Sequence, residues 1–253
     1  TLGSSTPGTY TVTYAIAAGG GCAAFSTTAS VTITAAPSAM ISYAGTPYCS
    51  SAGTAAVTHT GSTGGTYSAA AGLTLNTTTG LITPGTSTPG TYTVTYAIAA
   101  SGGCAAFSTT ASVTITAAPS ATISYTGSPY CNSVSTASVT LTGSAGGTYI
   151  ASPSGLSLNA ATGAINLTTS TPGSYNVTYV IAAGGGCAGF STTAPVVVTA
   201  AQSATIAYNG SPYCTGAVVA NVTRTGSAGG TYSALPAGLS LDPSTGSIAL
   251  GAS

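Results

Sequence analysis

The sequence predicts an all-β protein built as a row of seven-stranded β-sandwiches. Three observations predict this fold class: an internal repeat, apolar side chains that alternate with a period of two, and turn residues between the alternating segments. The run STPGTYTVTYAIAA begins at Ser5 and again at Ser87, and STPGSYNVTYVIAA begins at Ser170, which gives offsets of 82 and 83 residues. A repeat of this length is one small domain, because it is much longer than one coil of a solenoid and fits a sandwich of about seven strands.

The alternation locates the strands within a repeat. In the segment SYNVTYVIA, Tyr175, Val177 and Tyr179 lie on one face and the residues between them on the other, which is typical of a strand with one buried face. The segment FSTTAPVVV, which begins at Phe190, continues the pattern. Five shorter strands are predicted upstream, in TISY (122–125), TASVTLTG (136–143), GGTYIAS (146–152), GLSLN (155–159) and GAINL (163–167).

The period also sets the expected domain boundaries. Two repeats are complete, at 37–118 and 119–201, whereas 1–36 corresponds to the last two strands of a repeat and 202–253 to the first five. Neither terminal segment can bury a core alone. We therefore expect the complementary strands to come from further repeats of a longer protein, or from another chain by head-to-tail strand complementation.

Charge is almost absent from the chain. Of 253 residues, one is basic (Arg224), one is acidic (Asp242) and one is a histidine (His59), so charged residues make up 1% where about 25% is usual. Binding to nucleic acid or to an anionic membrane surface requires many Lys and Arg side chains, so neither partner is expected. A membrane span is not expected either, because no stretch approaches the roughly 20 apolar residues that it needs.

Catalysis is not expected from these three groups. His59 and Arg224 occupy the same position of the repeat, which is Leu141 in the middle copy, and Asp242 lies in a turn where the other copies have asparagine. Acid–base catalysis needs correctly placed titratable groups, and Asp and Asn in a turn serve by bonding the local backbone. The sequence therefore predicts a protein that is not an enzyme and has no catalytic residue, metal or cofactor.

Parts of the repeat resemble a known group of surface proteins. The segment LPAGLSLDPSTGSI (235–248), which TPGTYTVTY follows in the complete repeats, resembles the tandem immunoglobulin-like repeats of giant secreted and cell-surface proteins and adhesins of bacteria, Bacteroidota in particular. The resemblance implies immunoglobulin-like β-sandwiches in an extracellular stalk or adhesin at the bacterial cell surface. It also implies a tyrosine corner, with simple core packing as the alternative, at Tyr10, Tyr92 and Tyr175.

The six cysteines occur two per repeat, one in a PYC motif and one in a GGC motif. The PYC cysteines are Cys49, Cys131 and Cys214, and the GGC cysteines are Cys22, Cys104 and Cys187. Two thiols per repeat without a regular histidine do not supply the four ligands of a structural zinc site, and no C-x-x-C spacing indicates a redox motif. We therefore expect one structural disulfide per repeat, formed in an oxidising compartment.

A bond that repeats with the domain predicts specific pairs. In the complete repeats these pairs are Cys49 with Cys104 and Cys131 with Cys187. Cys22 and Cys214 are candidates for an inter-unit or inter-chain disulfide, in which Cys214 pairs with the counterpart of Cys22 in the same polypeptide or the next subunit.

The expected function is structural. Pro119 and the short linker TAAPSA (116–121) favour a stiff rod of domains, used as a surface stalk or extracellular filament whose partners are neighbouring copies of the repeat. The alternative is an adhesin whose repeats bind surface glycans or another surface. The PYC tyrosines would then stack on sugars; their other interpretation is that they cover the disulfide. These tyrosines are Tyr48, Tyr130 and Tyr213.

Overall fold

β-Strands provide the regular structure of every repeat. The computed structural model describes residues 5–214 and 216–252, and the predicted all-β fold class is confirmed there. Short 3-10 turns lie at Pro84–Thr86 and Leu250–Ala252.

The described residues form two compact units. The first comprises the described residues up to Thr122 together with Thr142–Gly147 and Val180–Thr192. The second comprises Ile123–Leu141, Thr148–Tyr179 and the described residues from Thr193 onward.

The N-terminal hairpin consists of two long antiparallel strands. They are β1 (Gly8–Ile16) and β2 (Phe25–Ile33), paired from Gly8 with Ile33 to Ile16 with Phe25. The same side chains that alternate in the sequence lie on one face of the hairpin, because neighbouring residues of a strand point to opposite faces.

Repeat 37–118 is a two-layer sandwich. Its strands are β3 (Ala39–Ser42), β4 (Tyr48–Cys49), β5 (Thr58–Gly61), β6 (Thr66–Ser68), β7 (Gly90–Ile98) and β8 (Phe107–Thr116). One sheet has the order β4-β8-β7-β6, with β4 parallel to β8, and the second layer contains the antiparallel pair β3-β5. Side chains from both layers form the core, and its buried members are Ile41, Tyr43, Ala55, Tyr67, Ile82, Val94, Tyr96, Val113 and Ile115.

Repeat 119–201 has the same layers and more strands than the sequence predicted. They are β9 (Ala121–Ser124), β10 (Tyr130–Cys131), β11 (Thr136–Ala137), β12 (Thr140–Gly143), β13 (Thr148–Ser152), β14 (Ser157–Leu158), β15 (Ile165–Asn166), β16 (Gly173–Ile181) and β17 (Phe190–Thr199). The sheets have the orders β10-β17-β16-β13, β11-β15-β14 and β12-β9.

The predicted count of seven strands is therefore not confirmed. The predicted strand TASVTLTG is divided in two, since β11 pairs with β15 while β12 pairs with β9 in another sheet. The alternation of apolar residues continues across the change of sheet, so it could not reveal the division. The additional strand β10 is only two residues long and pairs with Val198 and Thr199 of β17.

The C-terminal segment contains β18 (Ala204–Tyr208), β19 (Val219–Ala220), β20 (Val222–Gly226) and β21 (Ile248–Ala249). β18 pairs with β20 and β19 with β21, both antiparallel. These strands repeat the pairings that β9, β11, β12 and β15 make in repeat 119–201.

Candidate functional site: a disulfide between consecutive repeats

Each GGC motif forms the tip of a β-hairpin. In the hairpin β16–β17 the Gly184 N–H donates to the Cys187 carbonyl at 3.1 Å, and the Cys187 N–H donates back at 2.9 Å. The two residues between them, Gly185 and Gly186, have φ angles of +59° and +77°. Positive φ at both central positions is the type I′ turn, which matches the twist of a hairpin and strongly favours glycine. The same turns end at Cys22 and Cys104, so every GGC cysteine lies at a hairpin tip.

In the two complete repeats, the PYC motif lies against the other end of the last strand of its repeat. The two-residue strand β4 places Cys49 beside Thr116, the last residue of β8, and the Thr114 N–H donates to Thr46 Oγ1 at 2.9 Å. In the next repeat, β10 places Cys131 beside Thr199 in the same way. The PYC cysteine therefore marks the end of the domain that is opposite to the hairpin tip.

The structure joins a PYC cysteine to the GGC cysteine of the following repeat. Cys49 and Cys187 form a disulfide with their Cα atoms 4.7 Å apart, and both side chains are buried. Cys187 Sγ lies 3.5 Å from the Ala117 carbonyl oxygen and 4.0 Å from that of Thr116. A Cβ atom at Gly186 would collide with the Pro47 carbonyl, so the tip approaches the PYC segment as closely as backbones allow.

The predicted pairs Cys49–Cys104 and Cys131–Cys187 are therefore wrong, and the length of a strand explains why. Cys104 precedes the ten-residue strand β8 and Cys49 lies at its end, so roughly 30 Å separates them at about 3.3 Å per residue. A disulfide requires Cα atoms about 4.4–6.8 Å apart. The same separation along β17 keeps Cys187 from Cys131.

Four cysteines remain free thiols in the structure. Cys22 and Cys214 are exposed, and Cys104 and Cys131 are partly buried. Cys131 Sγ lies 3.1 Å from Ser133 Oγ, and hydrogen bonds from the Ser133 side chain and backbone lower the pKa of the Cys131 thiol. A lower pKa increases the thiolate fraction, which is the reactive form in disulfide chemistry.

The PYC tyrosines hold their own turns together. Their hydroxyls donate to the carbonyl four residues earlier, at 2.5 Å from Tyr48 to Ala44, 2.9 Å from Tyr130 to Thr126 and 2.6 Å from Tyr213 to Asn209. Each ring also faces the turn glycine three residues earlier, since a Cβ there would lie 3.2–3.6 Å from ring carbons. Sugar stacking by these three residues stays a prediction.

The strand-head tyrosines make the hydrogen bond of a tyrosine corner. The hydroxyls of Tyr10, Tyr92 and Tyr175 donate to the carbonyl four residues upstream, at 2.8, 2.7 and 2.6 Å. A tyrosine corner has this bond from the hydroxyl to the upstream backbone. The resemblance therefore identified the right side chains.

The charged side chains bond to nearby backbone. Asp242 Oδ1 accepts hydrogen bonds from the Ser244 hydroxyl (2.7 Å) and N–H (2.8 Å) and the Thr245 N–H (3.2 Å), and these bonds lower the pKa of Asp242 to about 2. Arg224 donates to the carbonyl of Ser227. His59 differs from these two charged residues. Its ring centroid lies 4.7 Å from that of Tyr96, and its buried Nε2 has no hydrogen-bond partner among the described residues.

Within the part of the chain that the structure describes, no group of three or more His, Cys, Asp or Glu side chains comes together to hold a metal ion. None of the helices found in that part has the length and apolar character needed to cross a membrane.

Sequence reasoning missed two features of this site. The first is a serine two residues after the PYC cysteine, whose hydroxyl is hydrogen-bonded to the cysteine sulfur. This serine is Ser51 after Cys49 and Ser133 after Cys131, and its recurrence in two motifs could have indicated the contact. The second is the register of the disulfide, which joins neighbouring repeats. No local signal carries it, because both cysteines recur with the same period in either pairing.

Comparisons with known proteins give similarity of fold alone. No protein-family model matches the sequence, and no curated protein matches it. The chain is similar to human CDH23 EC21-23, with 13% identity and a TM-score of 0.45 over 85% of this chain and 90% of that one. It is similar to Drosophila N-cadherin EC1-4, with 10% identity and a TM-score of 0.40 over 70% of this chain, and it spans about half (52%) of that structure. A third similar structure is a SusE-like surface located polysaccharide binding protein from Bacteroides thetaiotaomicron, with 18% identity and a TM-score of 0.26 over 64% of this chain and 34% of that one.

Proposed function

We propose that this protein is a structural, non-enzymatic component of a stiff extracellular stalk or filament at the bacterial cell surface. Its domains join by strand complementation, in which the hairpin β1–β2 of one copy completes the sandwich begun by β18–β21 of another. The observation that carries the proposal is the exposed apolar face of the hairpin.

The hairpin β1–β2 exposes side chains that are core in the other repeats. Val12 is 56% exposed, whereas its counterparts Val94 and Val177 are 0% exposed. The other apolar side chains exposed on this hairpin are Tyr10, Tyr14, Ile16, Phe25 and Val31. Each fully buried apolar side chain of this size contributes about 1.5–3 kcal/mol, so a complementary layer would stabilise the hairpin substantially.

The C-terminal strands expose the opposite half of the same core. Ile206 of β18 is 56% exposed, whereas its counterparts Ile123 and Ile41 are 8% and 4% exposed. In repeat 37–118 the layer that covers Ile41 includes β7 and β8, whose sequences are nearly those of β1 and β2. A second copy of this chain therefore offers the surface that fits, in a register already present in the molecule.

Stiffness is supported by the connections between consecutive repeats. Only four residues separate the end of β8 at Thr116 from the start of β9 at Ala121, and the Ala118 N–H donates to Ser50 Oγ at 2.9 Å. The disulfide adds a covalent restraint between the two repeats, and it implies an oxidising compartment such as the cell exterior. The near absence of charge leaves contact between copies unopposed by repulsion.

Association of chains that cannot form intermolecular disulfides tests the proposal. In a variant with Ser at positions 22, 104, 131 and 214, Cys49–Cys187 is the only disulfide that can form. We expect this four-serine variant to assemble as its concentration rises, measured by light scattering, and to give regular fibres in electron microscopy. Adding Val12→Asp places a charge on the apolar face and should weaken association by about tenfold or more, since 1.4 kcal/mol corresponds to a factor of ten.

The matched control is Thr11→Asp, which adds the same charge on the other face of the same strand. Its counterpart Thr93 is exposed in the complete repeat, so Thr11→Asp should leave association unchanged. A four-serine variant that stays monomeric at all concentrations would overturn assembly between chains. Binding of the monomer to a glycan array, lost on substitution of Tyr48 or Tyr130, would favour the adhesin instead.

A further inference from the structure

The bonded pair defines a pairing rule that extends to the free thiols. Cys49 and Cys187 are 138 residues apart and join the PYC motif of one repeat to the GGC motif of the next. No other two cysteines of the chain stand in this relation. For the other four, the matching cysteine therefore belongs to another copy of the repeat.

Cys104 already occupies the position that the rule requires of a GGC cysteine. Its Sγ lies 3.5 Å from the Ala35 carbonyl oxygen and 3.8 Å from that of Thr34, at the end of β2. The bonded Cys187 lies 3.5 and 4.0 Å from the equivalent carbonyls at the end of β8. The hairpin tip is thus seated on the preceding repeat in the same way at both places.

Cys131 occupies the position of a bonded PYC cysteine. Its Sγ lies 3.1 Å from Ser133 Oγ, as that of Cys49 lies 3.1 Å from Ser51 Oγ. Its strand β10 is parallel to β17 at the same register as β4 to β8. The disulfide formed by the equivalent residues in the same molecule is the independent evidence that these thiols form half of a bond.

We infer that neighbouring copies are locked by two disulfides, Cys131 to Cys22 of the next copy and Cys214 to Cys104 of the next copy. The inference rests on the proposed strand complementation, which makes β1–β2 of the next copy the last hairpin of the repeat that begins at residue 202. The tip of that hairpin carries Cys22 and follows the repeat that contains Cys131. The second hairpin tip of the next copy carries Cys104, whose sulfur lies near the Thr34 carbonyl at the end of β2. Tyr213–Cys214 of the first copy would pair with this same end of β2.

Each bond forms by thiol–disulfide exchange with an oxidised dithiol catalyst or glutathione disulfide. The two cysteine thiols give up two electrons and two protons and form one S–S bond. The oxidant takes up both electrons and both protons as its own S–S bond breaks into two thiols. The lowered pKa of Cys131 assists the first attack.

Peptide mapping of mixed isotopes tests the pairing. Unlabelled and 15N-labelled chains are mixed while reduced, oxidised with glutathione disulfide, alkylated and cut with chymotrypsin, because the chain has a single Arg and no Lys for trypsin. We expect Cys131–Cys22 and Cys104–Cys214 peptides with mixed-isotope masses. The Cys49–Cys187 peptides should carry one isotope only.

Two matched variants report on the covalent link. Cys131→Ser with Cys214→Ser should abolish the ladder on a non-reducing gel while leaving association by light scattering. Cys49→Ser with Cys187→Ser should retain the ladder. Assembly accompanied by Cys22–Cys214 peptides in place of the expected ones would overturn the disulfide inference and leave the proposed assembly standing.

A tandem chain distinguishes failure of assembly between separate chains from failure of the disulfide pairing. Residues 1–253 continued directly by residues 6–201 keep the period, because Ser253 and Ser5 occupy the same position of the repeat. We expect this chain to form Cys131–Cys22 internally. If the tandem chain forms this bond while the single-length chain stays monomeric, the disulfide pairing is supported and assembly of separate chains is overturned. Its absence, with Cys131 alkylated, would overturn the pairing.

Discussion

At the scale of single residues, the motif side chains mainly satisfy the backbone around them. Asn76 and Asn159 accept the N–H groups two and three residues later at 2.9–3.1 Å, and Asp242 accepts the equivalent groups in its own turn. The turn therefore needs a short side chain with an acceptor oxygen. Charge is incidental at this position, which explains why two repeats have Asn there and the third has Asp.

The pKa of Asp242 gives a prediction for acid solution. Because the folded pKa of about 2 lies below the ordinary 3.8, the group stabilises its turn above about pH 4, and this contribution is lost as the pH falls through about 2. We expect the Ser244 amide resonance to titrate near pH 2. In Asp242→Asn the stability of the turn should be independent of pH in this range.

Asn76→Asp is the matched variant, since it places a carboxylate in the equivalent turn. It should introduce the same acid-dependent loss of stability in repeat 37–118. A Ser244 titration that is unchanged in Asp242→Asn would contradict the assignment of the acid effect to this side chain.

At the scale of elements, the hairpin tip determines where repeats meet. Its two glycines form the turn, and Gly186 in addition lies where a Cβ would strike the Pro47 carbonyl. The long strands β16 and β17 carry the cysteine to the far end of its own domain, so it meets the preceding repeat. Strand length and turn type together thus select the partner of the cysteine.

Gly186→Ala tests this role of the tip. The change adds strain at a φ of +77° as well as the collision, so we expect a cost above about 1 kcal/mol and a fall in the fraction of chains that contain the Cys49–Cys187 bond. Alkylation of Cys49 measured by mass spectrometry reports that fraction. Gly184→Ala is the control, because nothing lies within 4 Å of its added Cβ and it should form the disulfide normally. Equal alkylation in both variants would contradict the close approach.

At the scale of the whole molecule, one covalent bond spans 138 residues of an almost uncharged chain. Apolar side chains fill the complete repeats, and salt bridges contribute little to a protein with one basic and one acidic residue. The disulfide is therefore a large single contribution to stability, since closing a long loop lowers the entropy of the unfolded chain.

Removing this bond should cost about 2–5 kcal/mol. The Cys49→Ser, Cys187→Ser variant is expected to unfold at a lower denaturant concentration than the parent chain, when both are oxidised at a dilution where the chains have not associated and remain monomeric. Cys22→Ser with Cys214→Ser, which alters two exposed thiols, should leave the midpoint unchanged. A midpoint that moves in the control and stays in the test variant would contradict the contribution assigned to Cys49–Cys187.

The sequence alone was sufficient for the all-β fold class and for the buried faces of the long strands, and the family resemblance added the tyrosine-corner side chains. The buried faces depend on a local pattern, since alternation places Val177 and Tyr179 on the same side of their strand. The two-residue strand at Tyr130–Cys131 and the division of TASVTLTG escaped prediction, because both depend on which sheet a short segment meets.

The partner of each cysteine was decided by the tertiary structure. The sequence determined that thiols recur in pairs with the domain, but a periodic pattern is the same whether Cys49 joins its own repeat or the next. Only the folded β8, which holds Cys104 and Cys49 at its opposite ends, excludes the first pairing and brings Cys187 to Cys49. Local chemistry sets turns and faces, whereas the distance between two such sites depends on how the strands between them are laid out in space.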